Sequence, residues 1–365
     1  MTQITILGGG PAGLATAYFA IRRGLGATLL EASEVVGGNC RTFEMDGFRF
    51  DSGAHRVHDR DAEMTAELES LLAGRLAPVD VPSHIFDAGR MLRFPLTAGD
   101  LLRHFPASTI ARAAVDLLRA RIFASPEGSF ESLAVARYGR TVAERFLLGY
   151  SAKLWGAPAD RLSPAVAGSR LKGLDIRSFL ASSLLGDRRR TRHVEGRFLY
   201  PRTGIGEVTA RLAEACAPGA IRTGQRVVRV IHDGATVRRV ETEAGAAFEA
   251  DEVVSTLPLA VLVRSLDPPA PTGVLEHADV LRQRQVRLVG ILLDRAEVTR
   301  SATVYFPHPA FPFTRVSEPR NRSPEMAPPG RTSLLVELPC QRDEEAWTSD
   351  GQVLADQVVE HLVSV

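Results

Sequence analysis

The chain has 365 residues, 45% hydrophobic and 24% charged, with a formal net charge of +1. That length exceeds one typical core, so two domains are expected, and the near-neutral balance lacks the basic excess of a nucleic-acid binder. Cys40, Cys216 and Cys340 are too scattered for a disulfide framework or a metal knot and suit a reduced, cytoplasmic setting. No apolar run reaches the roughly 20 residues of a membrane span, and Met1 leads directly into a strand without a signal-peptide n-region.

"QITILGGGPAGLATAYFAIRRG" reads as a strand, a glycine turn and a helix from Leu14 to Arg23 that Gly24 ends. Gly8, Gly10 and Gly13 form G-x-G-x-x-G. The first glycine permits the turn and the second lets backbone approach a pyrophosphate; the third lets helix and strand pack closely. Pro11 and Ala12 then open a helix N-terminus that faces phosphate. A second strand, "ATLLEA", ends at Glu31 and Ala32, where an acid accepts hydrogen bonds from a ribose 2′-hydroxyl. These features indicate a dinucleotide without choosing between NAD and FAD.

The choice comes from "EASEVVGGNCRT", which sets the pair Gly37–Gly38 six residues after Glu31, followed by Asn39, Arg41 and Thr42. This resembles the FAD-binding signature of the flavoprotein superfamily that holds amine oxidases, protoporphyrinogen oxidases and UDP-galactopyranose mutases. In that superfamily the glycine pair and the arginine approach the pyrophosphate and flavin, so the resemblance implies FAD.

Next comes "FRFDSGAHRVHD", with His55 and His58 three apart between Asp51 and Asp59. A metal site would need a third ligand at usable spacing, which the loop does not offer. "GAHRVH" instead resembles the mutases' G-A-H-x-x-H, whose first histidine lies beside the flavin. The resemblance implies that Gly53, Ala54 and His55 run under the isoalloxazine, with His58 structural.

Residues 95 to 195 read as helical. Leu101, Leu102, Phe105, Ile110, Val115, Leu118 and Ile122 recur at helical spacing, and a core-facing helix pair is the expectation, ahead of a membrane-surface helix suggested by the arginines. "GYSAKLWGAPADRLS" is similar to the Y-x-x-K-x-W-G element of the mutases and of a protoporphyrinogen-oxidase-like group, and "FLYPRTGIGEV" to the latter's Y-P-R-x-G-x-G. Residues 220 to 258 form a β-meander and a closing strand. By the same resemblance Val228 touches adenine, and backbone near Thr256 and Pro258 approaches the cofactor. "FPFTRVSEPRNRSP" resembles the relatives' R-V-x-x-x-x-N-x-S-P.

Candidate catalytic or substrate groups are His55, Tyr150, Trp155, Arg170 and Arg315. Arginine forks suit phosphate or carboxylate, and Arg315 follows an apolar run with no carboxylate before Glu318. Lys153 reads as the partner of a nearby acid. Amine oxidases place a lysine–water pair near flavin N5 on a substrate-domain strand, but the last lysine here is Lys172. The C-terminal segment "DGQVLADQVVEHLVSV" is an amphipathic helix, and the family's last FAD element is not found before the chain ends.

The sequence thus predicts an α/β protein. A Rossmann-type FAD-binding domain with parallel sheet and β-meander (1–90 and 196–262) accompanies a mixed helical and antiparallel-sheet substrate domain (91–195 and 263–340), with a helix at 341–365. The expected activity is FAD-dependent hydride transfer from a small organic substrate to flavin N5, without nucleic acid, metal or membrane span, and compatible with a homo-oligomer. The alternatives are a non-redox nucleotide-sugar mutase and an FAD-free scaffold.

Overall fold

Short β-branched runs separated by glycine turns set the first layer. β1 (Gln3–Leu7) and β2 (Gly26–Leu30) bury Ile6, Leu7, Leu29 and Leu30, and α1 (Pro11–Arg22) crosses between them. The computed structural model describes residues 3–96, 98–123, 125–167 and 197–365. The chain divides into two compact units, Met1–Ala77 with Leu199–Gln283, and Pro78–Phe198 with Arg284–Val365.

In the first unit, β1 pairs in parallel with β2 and with Glu252–Ser255, and β2 pairs in parallel with Ile221–Arg222. Parallel order around a crossover helix is the doubly wound arrangement that leaves the carboxyl ends of the strands for a ligand. α1 begins at Pro11 rather than Leu14, because proline's fixed φ suits the first helical position and its missing N–H costs nothing there. The meander Val227–His232, Val237–Thr242 and Ala247–Glu249 is antiparallel, and Val230 and Val240 pack with Leu7 and Leu30.

The second unit is built on a six-stranded mixed sheet. Its order is Gln285–Leu293, Thr332–Cys340, Arg315–Ser317, Thr303–Tyr305, Ser83–Asp87 and Arg90–Phe94. All neighbours are antiparallel except Thr303–Tyr305 with Ser83–Asp87. The first unit's opening segment ends at Ala77, and Ser83–Asp87 joins the sheet of the second. Every residue of Thr332–Cys340 is buried, and the helix Gly351–Val363 inserts Leu354 and Val358 into the same core as Phe306, Phe313 and Val336.

The helical part of this unit departs from the sequence expectation. Phe105 and Ile110 are half-buried, but Leu102, Val115, Leu118 and Ile122 are exposed. The helix Ala107–Phe123 buries Ala120 and half-buries Ala113 and Leu117, while Asp116 accepts from the Thr141 N–H at 3.2 Å. Periodicity marked a stripe but not the side that packs.

Leu354 is 3% exposed, and its truncation leaves a cavity beside Val336. We expect Leu354→Ala to lower stability by roughly 3 kcal/mol, read as a fall in the midpoint of urea unfolding with an unchanged m-value.

Candidate functional site

The glycine turn after β1 is built by close backbone approach. A Cβ on Gly13 would lie 1.9 Å from the Gly8 carbonyl oxygen, so no side chain fits there without moving α1 off the sheet. Thr256 locks the turn from the other side, its hydroxyl donating to the carbonyls of Leu7 at 2.9 Å and Gly8 at 3.2 Å. Gly10, the N-cap of α1, offers no side-chain cap, and no acid stands in the first turn, so the helix N-terminal dipole is left unneutralised. Pro11 and Ala12 are exposed beside it.

Glu31, at the end of β2, accepts from the Gly9 N–H at 2.7 Å through one carboxylate oxygen. The other oxygen accepts from the Ser33 N–H and hydroxyl at 2.8 and 2.9 Å. This fixes the carboxylate at the strand end, with lone pairs left for further donors. The second glycine pair abuts the first: the Gly37 N–H donates to the Gly9 carbonyl at 2.8 Å, and a Cβ on Gly38 would lie 3.0 Å from the Gly10 Cα. Ala32, Gly38 and Asn39 are exposed along the rim of this double turn. Arg41 packs its stem on Gly37 and sets its guanidinium 5.2 Å from the Phe43 ring centroid.

The hairpin that follows is held by a buried carboxylate that the sequence pattern left as one of two bracketing aspartates. Asp51, 1% exposed, accepts from the Thr42 hydroxyl at 2.8 Å, the Ile205 N–H at 3.0 Å and the Tyr200 hydroxyl. The Gly206 N–H donates to Thr42 Oγ1 at 2.9 Å. A Cβ on Gly204 would lie 2.4 Å from Thr42 Oγ1, so the glycines of "YPRTGIGEV" let this segment close over Thr42 and Asp51. Farther along, Glu207 accepts from the Thr203 hydroxyl at 2.7 Å and pairs with Arg75. Burial pushes the Glu207 carboxyl up, but Arg75 and Thr203 outweigh it and hold the group below its ordinary range.

His55 lies shortly past this hub, after Gly53 (φ +133°), and its backbone N–H donates to the Gly53 carbonyl at 3.1 Å. Its Nε2 atom is buried and has no hydrogen-bond partner. A buried, unpaired ring nitrogen carries a desolvation cost that a ligand atom would relieve. His58 is exposed, and desolvation with Arg60 and Arg56 pushes its imidazole below its ordinary value. Among the described residues, no group of three His, Cys, Asp or Glu stands together as a metal cluster. Val228 sits in a bulge of Val227–His232, between the pairs Val227–Thr242 and Arg229–Glu241, and its side chain is 41% exposed. Thr256 is half-buried in the turn, and Pro258 is exposed at the start of the helix Leu259–Ser265.

The second unit gathers a different set. Arg315 pairs with Glu337, its register partner on the adjacent strand. The carboxylate absent from the local sequence therefore comes from across the sheet, and Arg315 is not an uncommitted cation. Burial works against its charge, but Glu337 and then the phenols of Tyr150 and Tyr305 hold the guanidinium above its ordinary value. Its Nε is buried without a partner. Tyr150 is half-buried with its ring centroid 6.0 Å from that of Tyr305, and Trp155 is 44% exposed rather than a core tryptophan. Arg170 lies outside the described residues.

Among the described residues, Lys153 pairs with no acid. Its ammonium donates to the carbonyls of Phe306 at 2.5 Å and of His308, Phe311 and Phe313 at 3.0 Å each. One cation thereby fastens the whole loop between Thr303–Tyr305 and Arg315–Ser317. Burial lowers the ammonium to about 8, against which four carbonyl dipoles favour the charged form. Arg284 lies against Gly156 and donates to the carbonyls of Lys153 at 3.1 Å and Pro339 at 2.9 Å. The "RVSEPRNRSP" motif also proves to be fastening: the Asn321 amide donates to the carbonyls of Thr299 and Ser301 at 2.6 and 3.0 Å, and buried Glu318 accepts from the Thr299 N–H at 2.7 Å.

A parallel sheet with an uncapped helix N-terminus, a fixed acid at the second strand and a doubled glycine turn defines a dinucleotide-binding flavoprotein. The chain belongs to the flavin containing amine oxidoreductase family, whose model matches residues 11–365, and FAD is its cofactor. It is 24% identical over 405 residues to the zeta-carotene-forming phytoene desaturase of Myxococcus xanthus, covering 96% of this chain and 74% of that protein. A 69-residue stretch, 19% of this chain and 14% of the relative, is 33% identical to the mitochondrial protoporphyrinogen oxidase of Nicotiana tabacum. Among solved structures, reduced UDP-galactopyranose mutase superposes with a TM-score of 0.84 at 20% identity, over 100% of this chain and 79% of that one. A double mutant of putrescine oxidase, redesigned in its cofactor binding, superposes with a TM-score of 0.68 at 19% identity, over 99% and 81%. The match in fold is therefore to the amine oxidase-like FAD proteins, and the family is one of oxidoreductases.

Asp51→Ala removes the acceptor of two hydroxyls and a buried N–H at once. We expect a loss of roughly 3 kcal/mol, measured by chemical denaturation, while Asp59→Ala, which loses a single hydrogen bond from the Thr65 hydroxyl at 3.0 Å, costs only about 1 kcal/mol.

Proposed function

We propose that the protein is an FAD-dependent oxidoreductase that removes a hydride from a C–H bond of a small organic substrate. The unit Met1–Ala77 with Leu199–Gln283 is the FAD-binding domain in this reading, and the other unit supplies substrate groups. Gly8, Gly10, Pro11, Ala12 and Gly13 would hold the pyrophosphate on the α1 terminus, with Gly38, Asn39, Arg41 and Thr42 closing over it. Glu31, beside Ala32, would hold the adenosine ribose, Val228 the adenine, and backbone near Thr256 and Pro258 the cofactor edge. Gly53, Ala54 and His55 would line the flavin. Bound FAD supplies the hydride acceptor at flavin N5.

One observation carries the reading: His55 Nε2 is buried and unpartnered in the loop that directly follows the cradle. Such a nitrogen is available to hydrogen-bond a substrate or to take the proton that accompanies hydride loss, the two together making a two-electron oxidation. In the second unit, Tyr150 would donate through its hydroxyl and Arg315 through its unpaired Nε, with Trp155 and Arg170 as further substrate groups. A diphosphate-binding mutase is less well supported, because the Glu337 carboxylate already balances the Arg315 charge. Lys153 would position Arg315 by fixing the Phe306–Phe313 loop.

The test is anaerobic flavin bleaching by a panel that takes its members from the relatives' names: phytoene, protoporphyrinogen and putrescine. Bleaching with formation of an oxidised product supports the reading. If instead the dithionite-reduced protein isomerises UDP-galactopyranose with no net oxidation, the mutase replaces it. With the substrate in hand, His55→Ala should slow bleaching by about 100-fold or more while flavin content stays near wild type, and His58→Ala should change neither.

A further inference from the structure

The helix Ala107–Phe123 carries more exposed apolar surface than any core role explains. Val115, Leu118, Ile122 and Phe123 are 45%, 64%, 72% and 82% exposed. Val115, Leu118 and Ile122 follow i, i+3, i+7 and share one face, opposite the side that buries Ala120. Arg112 and Arg119 stand on one flank of that face and Arg121 on the other, all three exposed. The helix's single acid, Asp116, is turned inward, its carboxylate bonded to Thr141. The preceding helix Ala98–His104 adds Leu102, 65% exposed, beside exposed Arg103.

We propose that this face docks on an anionic lipid surface and lies in the plane of the interface. An apolar stripe between arginines suits a headgroup boundary: the aliphatic side chains enter the acyl edge while the guanidiniums reach lipid phosphates. A second copy of the chain fits less well, because a two-fold contact would set the same stripe, and hence Arg112, Arg119 and Arg121, against themselves with no exposed acid on the helix to offset them. Crossing the bilayer is not involved, since no helix among the described residues is long and apolar enough.

The experiment is co-sedimentation of the FAD-loaded protein with mixed phosphatidylcholine–phosphatidylglycerol vesicles, against phosphatidylcholine alone, followed by flavin absorbance. Binding should require the anionic lipid and weaken as salt is raised. Leu118→Glu/Ile122→Glu should cut vesicle affinity by about tenfold or more, with flavin content and unfolding midpoint unchanged. Val280→Glu, at a site 72% exposed in the other unit, should leave binding intact. No binding to the anionic vesicles, or equal binding by wild type and the double variant, overturns the proposal. So does a wild-type dimer that the double variant converts to monomer, which would assign the face to a second copy.

Discussion

The approach of α1 to the end of β1 is the constraint on which the first unit depends. With 1.9 Å between the Gly8 carbonyl oxygen and the place of a Gly13 Cβ, helix and strand are as close as backbone permits. That closeness aims the first turn of α1 past the strand end and lets the Gly37–Gly38 turn seat on Gly9 and Gly10. Thr256 and Glu31 then fix the turn by hydrogen bonds to backbone on either side. The resulting surface is made almost wholly of main chain, which is the kind of surface that suits a phosphate group.

Polar side chains elsewhere do similar work, each holding several partners. Asp51 ties the hairpin after the cradle to the Tyr200–Gly206 segment, and that hairpin leads directly to His55. In the second unit, Lys153 gathers four carbonyls of one loop and Glu318 gathers backbone N–H groups of another. Buried charges of this kind are stabilising only when fully hydrogen-bonded, so they specify loop shape more than they add net stability. The Phe306–Phe313 loop that Lys153 shapes joins the strands that carry Tyr305 and Arg315.

What was legible in the residues was local. The glycine spacing, the acid at the end of the second strand and the doubled glycine turn announced the cradle because their roles are set by neighbours within about forty positions. The meander and the C-terminal helix were legible from period and turn residues alone. What escaped depended on contacts between distant strands. Glu337 opposite Arg315 is a matter of sheet register, and the Lys153 carbonyls belong to a loop that starts 153 residues away. Asp51 looked like a loop residue because its partners, Tyr200 and Ile205, are equally remote. The arginine-flanked helix was misread for a related reason: a stripe has the same period whether it faces a core or the outside. Ala107–Phe123 instead buries Ala120 and half-buries Ile110, Ala113 and Leu117.

The most direct measurement is the visible absorption spectrum of the purified protein after incubation with FAD and removal of the excess, compared with Gly13→Ala. The account predicts a yellow wild type holding close to one flavin per chain, and a folded but colourless Gly13→Ala whose far-UV circular dichroism matches wild type. A Gly13→Ala protein that retains wild-type flavin content would contradict it, because the cofactor would then not depend on the approach of α1 to β1.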